Sequence, residues 1–426
     1  MATASALADA ARCPANDHVC QRVHAMEPYM PIRPAFEAGR ANPCYTDAGK
    51  EVCLPAVHVV SGWHMFSDES LNWMKAVPEL ESRPGGCFDD WGEDDKNSRQ
   101  WIGQFGKAPP PSTMILTHCN KLLTWYPAFA GRYTSAWGKA YGPCKARESA
   151  KPGDYYANAM WQVCRPAALA AHDAAMGVGG AGHEATPPFV MKALYGPRVK
   201  VISALRNPVD RLETSFWSHR HYPAKYGANP HGFQRYIEEQ GGAFENCAAK
   251  HGARRCAYLF ELLGPEQGEV FFHCDQIIRG LYEPFVRDWH AALGAESLLV
   301  LKVESLLDAP AAARGRILGF LGLGRAASGG AADVGVAATT GYRQLHAQSL
   351  HEARAQPMLN ATRALAEAFY RPHNEALGLL LGWPKSEAWP HSTAIDAEGI
   401  ASAAPPAGKG RASRTRRTLR EQKRRG

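Results

Sequence analysis

Residues 199–216 read VKVISALRNPVDRLETSF. The first seven are short, β-branched and mostly apolar, the pattern of a strand covered on both faces. They run straight into Arg206-Asn207-Pro208, after which a charged and aromatic helix is expected from about Val209 to His221. A strand that passes through one tight turn into a helix is a βα unit, and the same grammar recurs on either side. Upstream, Pro55–Val60 is a short β-branched run closed by Ser61-Gly62, and Glu69–Ala76 follows with Leu71 and Met74 at helical spacing. Downstream, Ile277–Leu293 sets Leu281, Phe285, Trp289 and Leu293 on one helix face. A strand is expected over 297–303 and a helix over 309–321. Strands alternating with helices predict an α/β fold, a parallel sheet with helices on both faces.

The rest of the chain is arranged around that sheet. Residues 1–54 read as an irregular lead-in containing Cys and Pro, 55–385 as the α/β domain, and 386–426 as a disordered basic tail. Residues 78–182 are heterogeneous, with three consecutive prolines at 109–111, several Trp and Tyr, and an acidic cluster from Asp89 to Asp95; they read as a large insertion after the first βα unit. With 45% hydrophobic and 21% charged residues, a 426-residue chain can bury a sizeable core. Gly 40 and Pro 30 imply long loops, and no repeat period makes the chain fibrous.

The net charge of +7 is a local property. From Lys409 to Arg425 there are nine Lys or Arg against Glu421 alone, a surplus of +8 that leaves the remainder at −1. A near-neutral body argues against a domain that tracks a polyphosphate backbone, so no specific nucleic acid is expected as partner. No apolar run reaches the roughly 18 residues of a membrane span, and the start lacks a signal-like pattern. A membrane anchor, where there is one, is expected outside this sequence. The eleven cysteines show no zinc-ligand spacing, and no metal is expected. Cys247 and Cys256 flank a polar stretch and are expected to form a local disulfide; with the sequon Asn360-Ala361-Thr362 they tilt the reading towards the secretory pathway.

In open α/β sheets ligands sit at the carboxyl ends of the strands, which directs attention to the turns after residues 60 and 205. Arg206 lies at a strand end and Thr214 on the following helix. Where the turn folds back they converge, and a guanidinium fork beside a hydroxyl suits a phosphate. A surface salt bridge is the other reading of such an arginine.

The segment resembles the 3′-phosphate-binding motif of sulfotransferases that use 3′-phosphoadenosine 5′-phosphosulfate (PAPS), a strand followed by Arg-Asn-Pro-x-x-Arg-x-x-Ser, with Thr214 at the serine position. Glu184-Ala-Thr-Pro-Pro-Phe189 is similar to an element that precedes that strand in Golgi carbohydrate sulfotransferases. Arg279-Gly-Leu-Tyr282 with Trp289, Leu299–Leu306, and Phe320–Leu323 match further phrases in order. Phe369–Asn374 and Leu380–Trp383 resemble the C-terminal element of the galactosaminoglycan branch. The likeness covers roughly 184–384. It implies a P-loop-NTPase-like sheet, PAPS as sulfuryl donor, a carbohydrate or polysaccharide hydroxyl as acceptor, and residence in the Golgi lumen or secretory pathway.

The first turn departs from the family pattern. Family members carry a loop resembling Gly-x-Pro-Lys-x-Gly-Thr-Thr-x-Leu around the 5′-phosphosulfate; here Gly62–Leu71 stands in its place, with Met65 for the lysine, Ser67 for the second glycine, and Asp68 and Glu69 for the hydroxyls. Two carboxylates beside a phosphosulfate repel it. Sulfuryl transfer leaves negative charge on the departing phosphate, so a cation or N–H donors must meet it, and a base must take the acceptor proton. By the resemblance, Gly62, Trp63 and Ser67 are expected along the donor. The cation is either His64 or a residue of 78–182, or else this loop is impaired. Candidates for the base are Asp89, Asp90 and Glu184. The alternative to an enzyme is a non-catalytic member of the fold that binds a glycan or protein partner. A nucleotide kinase needs a Gly-x-x-x-x-Gly-Lys-Ser/Thr loop, which is absent.

Overall fold

Backbone hydrogen bonding decides the architecture, and the computed structural model describes residues 13–14, 17–26, 34–47, 49–61, 71–83, 108–119, 186–260, 263–323, 341–384 and 389. The lead-in is more regular than its composition suggests. It holds a helix, α1 (His18–Met26), and an antiparallel hairpin of β1 (Cys44–Asp47) and β2 (Lys50–Cys53). Disulfides Cys13–Cys20 and Cys44–Cys53 tie these short pieces, the second joining residues directly opposite in the hairpin.

The central sheet has five parallel strands: β3 (Val57–Ser61), β4 (Leu80–Ser82), β5 (Met114–Cys119), β6 (Lys200–Leu205) and β7 (Leu298–Lys302), in the order β4-β5-β3-β6-β7. The fold is α/β, as the strand and helix pattern predicted. One difference concerns residues 78–182. The stretch supplies β4 and β5, so part of it belongs to the sheet itself. Strands of three and six residues, the second broken by Thr117 and His118, leave too short a pattern to read.

Helices cover both faces: α2 (Pro187–Tyr195), α3 (Pro208–Ser218), α4 (His221–Tyr226), α5 (Pro230–His251), α6 (Ala253–Leu259), α7 (Tyr282–Leu293), α8 (Val303–Asp308), α9 (Pro310–Phe320), α10 (Tyr342–Glu352) and α11 (Asn360–Leu381). Successive strand side chains point to opposite faces. Thus Val201 and Leu205 of β6 join Phe216, Tyr236, Phe285 and Tyr370 in one core, while Ile202 and Ala204 join Val57, Val59, Ile317 and Tyr342 in the other. The disulfide Cys247–Cys256 links α5 to α6, as expected from its spacing.

Two helices differ from expectation. The helix read over 69–76 is, within the described residues, a single 3-10 turn over Asn72–Ala76. The one read from Ile277 begins at Tyr282, because the chain turns through Arg279-Gly280-Leu281. Tyr370 of α11 explains the turn: its hydroxyl donates to Ile277 O at 3.0 Å, and a Cβ on Gly280 would lie 2.7 Å from that hydroxyl.

Candidate functional site

The chain leaves β3 towards β4 and β5 on one side and leaves β6 towards β7 on the other. Between the carboxyl ends of β3 and β6 the connections diverge, which is where open α/β sheets bind ligands. Ser61, the last residue of β3, pairs with Ala204 of β6, two residues before Arg206. The carboxyl ends of β3 and β6 therefore lie side by side, and the second of them leads straight into Arg206.

The second turn is built locally. Pro208 occupies the first turn of α3, and the Asn207 side chain caps it, accepting from Val209 N at 2.9 Å and Asp210 N at 3.3 Å. The Asn207 N–H donates to Glu304 Oε1 at 2.7 Å, which ties the turn to the start of α8. Tyr282 donates to Arg206 O at 2.9 Å, so the turn is held from three elements.

Arg206 and Thr214 do converge. Arg206 Nη2 donates to Thr214 Oγ1 at 3.0 Å, and both residues are buried. Thr214 gives its own proton back to Asp210 O at 3.0 Å. Arg206 also reaches α10: Nε donates to Tyr342 Oη at 2.9 Å, and Nη2 to His346 Nδ1 at 2.6 Å. Tyr342 in turn donates to Asp210 Oδ2 at 3.0 Å. Burial opposes the charge of Arg206, but the groups around it, Tyr342, Asp210 and Glu304, outweigh that and hold its pKa above the ordinary value. Burial likewise pushes the Tyr342 hydroxyl well above its usual range, keeping it a proton donor to Asp210.

Asp210, Glu213 and His346 form a buried group close enough to hold a metal ion, a juxtaposition absent from the sequence reading. Their hydrogen bonding speaks against that use. A guanidinium can only donate, so His346 Nδ1 must accept from Arg206 and the ring proton sits on Nε2. Nε2 therefore offers an N–H, not a lone pair, to Asp210 Oδ1 at 3.8 Å and Glu213 Oε2 at 3.7 Å. Arg363 of α11 faces the same two carboxylates at 3.4 and 3.8 Å. Arg363 meets both carboxylates directly and Arg206 acts on Asp210 through space, a charge-balanced network to which a divalent ion would add uncompensated charge.

Of the other residues singled out in the sequence, Gly62, Trp63, His64, Ser67, Asp89, Asp90 and Glu184 lie outside the described residues. Thr186, two residues after Glu184, is buried at the start of α2 and donates to Asp288 Oδ2 at 2.7 Å, a bond that pins α2 to α7.

Comparison with known proteins adds one likeness. No protein-family description matches the chain, and no curated protein does. Among solved structures it is similar to a sulfotransferase from Alicyclobacillus acidocaldarius, at 15% identity over 79% of this chain and 99% of that one, with a TM-score of 0.41.

Sequence reasoning missed Tyr342, His346, Arg363 and Glu304 as neighbours of Arg206. Asp210 and Glu213 were legible in principle, since positions four and seven residues after Arg206 follow a helical step. Tyr342 and His346 share a helix face with each other but stand some 130 residues from their partners, and no local pattern signals that contact. The phrases over 279–282 and 369–374 acquire a physical meaning: Tyr370 closes over Gly280, and Tyr282 holds the Arg206 carbonyl. Glu304 has a distinctive electrostatic state. Burial raises its pKa to about 7, against the pull of the Asn207 N–H.

Proposed function

We propose that this chain is a sulfotransferase that takes a sulfuryl group from PAPS and passes it to a hydroxyl of a carbohydrate or polysaccharide. The observation that carries the reading is the meeting of Arg206 Nη2 and Thr214 Oγ1 at 3.0 Å, at the point of the sheet where connections diverge. These are the two residues that the Arg-Asn-Pro-x-x-Arg-x-x-Ser resemblance assigns to the donor's 3′-phosphate. Arg206 supplies the planar fork and permanent charge that a phosphate dianion matches, and Thr214 supplies a neutral donor once its proton turns from Asp210 O.

The remaining roles follow from the chemistry. Gly62, Trp63 and Ser67, which follow β3 in the sequence, are assigned to the 5′-phosphosulfate, as the family resemblance implies. His64, as imidazolium, meets the charge that grows on the leaving phosphate, and Asp89 or Glu184 takes the acceptor proton. Three disulfides among the described residues fit an oxidising compartment, and the Golgi lumen or secretory pathway is the one we assign.

The test is calorimetric titration with adenosine 3′,5′-bisphosphate. Wild type is expected to bind, and Arg206→Ala to lose about tenfold or more in affinity, since a charge-assisted bidentate contact is removed. Equal affinity in the two proteins refutes the assignment of Arg206. Transfer of labelled sulfate to a panel of polysaccharides then separates catalysis from binding alone.

A second reading, a catalytically impaired protein of the same fold that binds a glycan or protein partner, is favoured by two features. Met65, Asp68 and Glu69 stand where the family pattern has a lysine and two hydroxyls, and the Arg206 fork is engaged by Tyr342 and His346. Turnover with any acceptor excludes it.

A further inference from the structure

The contacts of α10 with Arg206 bear on how that site takes a ligand, an argument that rests on the reading of Arg206 as an anion grip. A guanidinium holds a phosphate best through two parallel N–H bonds from one edge. The edge formed by Nε and Nη2 points at α10, where Tyr342 Oη and His346 Nδ1 accept those two bonds at 2.9 and 2.6 Å. Because arginine has no acceptor, both partners present lone pairs to it, which is the role that phosphate oxygens play.

We infer that helix α10 competes with the anion for this edge of Arg206: Tyr342 and His346 take the positions of phosphate oxygens, and the 3′-phosphate of a nucleotide binds by displacing them. The closed arrangement has the marks of a place-holder. His346 Nε2 and Glu213 Oε2 are buried without a hydrogen-bond partner although they face each other at 3.7 Å, so the seat leaves two polar atoms unsatisfied. Asp210 does not lose its charge partner when Tyr342 leaves, because Arg363 remains at 3.4 Å. Thr214, now donating to Asp210 O, is within 3.5 Å of His346 Nδ1 and faces the same vacated space. An incoming phosphate therefore meets one fork and one hydroxyl without any other buried charge being orphaned.

The competition has a sign that a purely structural role lacks. A side chain that only builds the site weakens binding when removed, whereas one that occupies the ligand's place strengthens it. The experiment titrates the full chain with adenosine 3′,5′-bisphosphate as wild type, Tyr342→Phe and His346→Ala, and follows amide exchange over 342–352 in parallel. Both variants are expected to bind about threefold to tenfold tighter, as one competing hydrogen bond is removed in each, and the α10 amides of wild type to exchange faster when the nucleotide is bound. Tyr342→Phe keeps the ring and serves where His346→Ala does not fold. Binding seen in a variant and not in wild type supports the inference in its strongest form. Wild-type binding with unchanged or weaker affinity in the variants overturns it and leaves the donor reading intact. No binding to wild type or to either folded variant overturns both.

Discussion

Glu304 and His58 are buried titratable groups whose pKa values move in opposite directions from their ordinary values. Glu304 is pushed up to about 7 by burial, so the folded protein keeps its proton where an unfolded chain, with the ordinary value of 4.5, has released it. Stability from this group is therefore present at acid pH and declines as pH rises from 4.5 to about 7. His58, on β3, is pushed down to about 3 by burial, with Pro55 O as partner for Nε2 at 3.2 Å. The folded protein holds it neutral, while an unfolded chain takes up a proton below 6.5, so its contribution is lost as pH falls from 6.5 towards 3. Urea unfolding across this range is expected to separate the two. Glu304→Gln should raise stability near pH 7 and above by on the order of 2 kcal/mol and flatten the neutral slope. His58→Gln should reduce the acid slope and leave the neutral one unchanged. A Glu304→Gln protein with the wild-type pH slope would show that the carboxyl ionises freely in the fold.

At the level of helices and turns, the close approach of α11 to the 279–281 turn decides how Arg206 is held. Gly280 carries Tyr370 against it, with a virtual Cβ 2.7–2.8 Å from the phenol oxygen and ring carbons, and Tyr370 anchors Ile277 O. Two residues on, Tyr282 begins α7 and donates to Arg206 O. Gly280→Ala must push the ring out of a full core and is expected to destabilise by about 1–3 kcal/mol, read as a lower urea midpoint at constant m-value. Because the shift passes through Tyr282, affinity for adenosine 3′,5′-bisphosphate should fall as well. Full affinity in Gly280→Ala would separate the turn from the anion site. The α3 turn is the contrasting case: its start is written locally, in Asn207 as cap and Pro208 in the first turn.

For the molecule as a whole, the described disulfides close short loops: Cys13–Cys20, Cys44–Cys53 and Cys247–Cys256 are separated by seven, nine and nine positions. Short loops remove less entropy from the unfolded chain than long ones, so each is expected to contribute about 2–3 kcal/mol, near the low end of the usual range. Thermal unfolding with and without reductant measures the combined effect, and alkylation of protein unfolded without reductant checks the compartment: Cys247 and Cys256, buried in the fold, should resist the reagent even then because they are bonded to each other. Cys274, a buried free thiol whose pKa burial raises well above its usual value, should react only on unfolding. Alkylation of Cys247 in protein from its native source would remove the oxidising-compartment reading.

What could be read in advance from the order of residues was what depends on near neighbours. The β-branched run of β6, the helix that follows Asn207-Pro208, the αβ alternation and the Cys247–Cys256 pair are set by contacts within about a dozen residues, where periodicity and turn chemistry act. The convergence of Arg206 with Thr214 belongs to the same class, since both sit on one βα unit. Three-dimensional packing was needed for everything that crosses the sheet. It placed β4 and β5 beside β3, set the divergence point next to Arg206, and brought Tyr342 and His346 onto its fork from some 130 residues away. The reason is physical: a buried charge takes whatever donors and acceptors the tertiary fold brings within hydrogen-bond reach, and those partners carry no local pattern of their own.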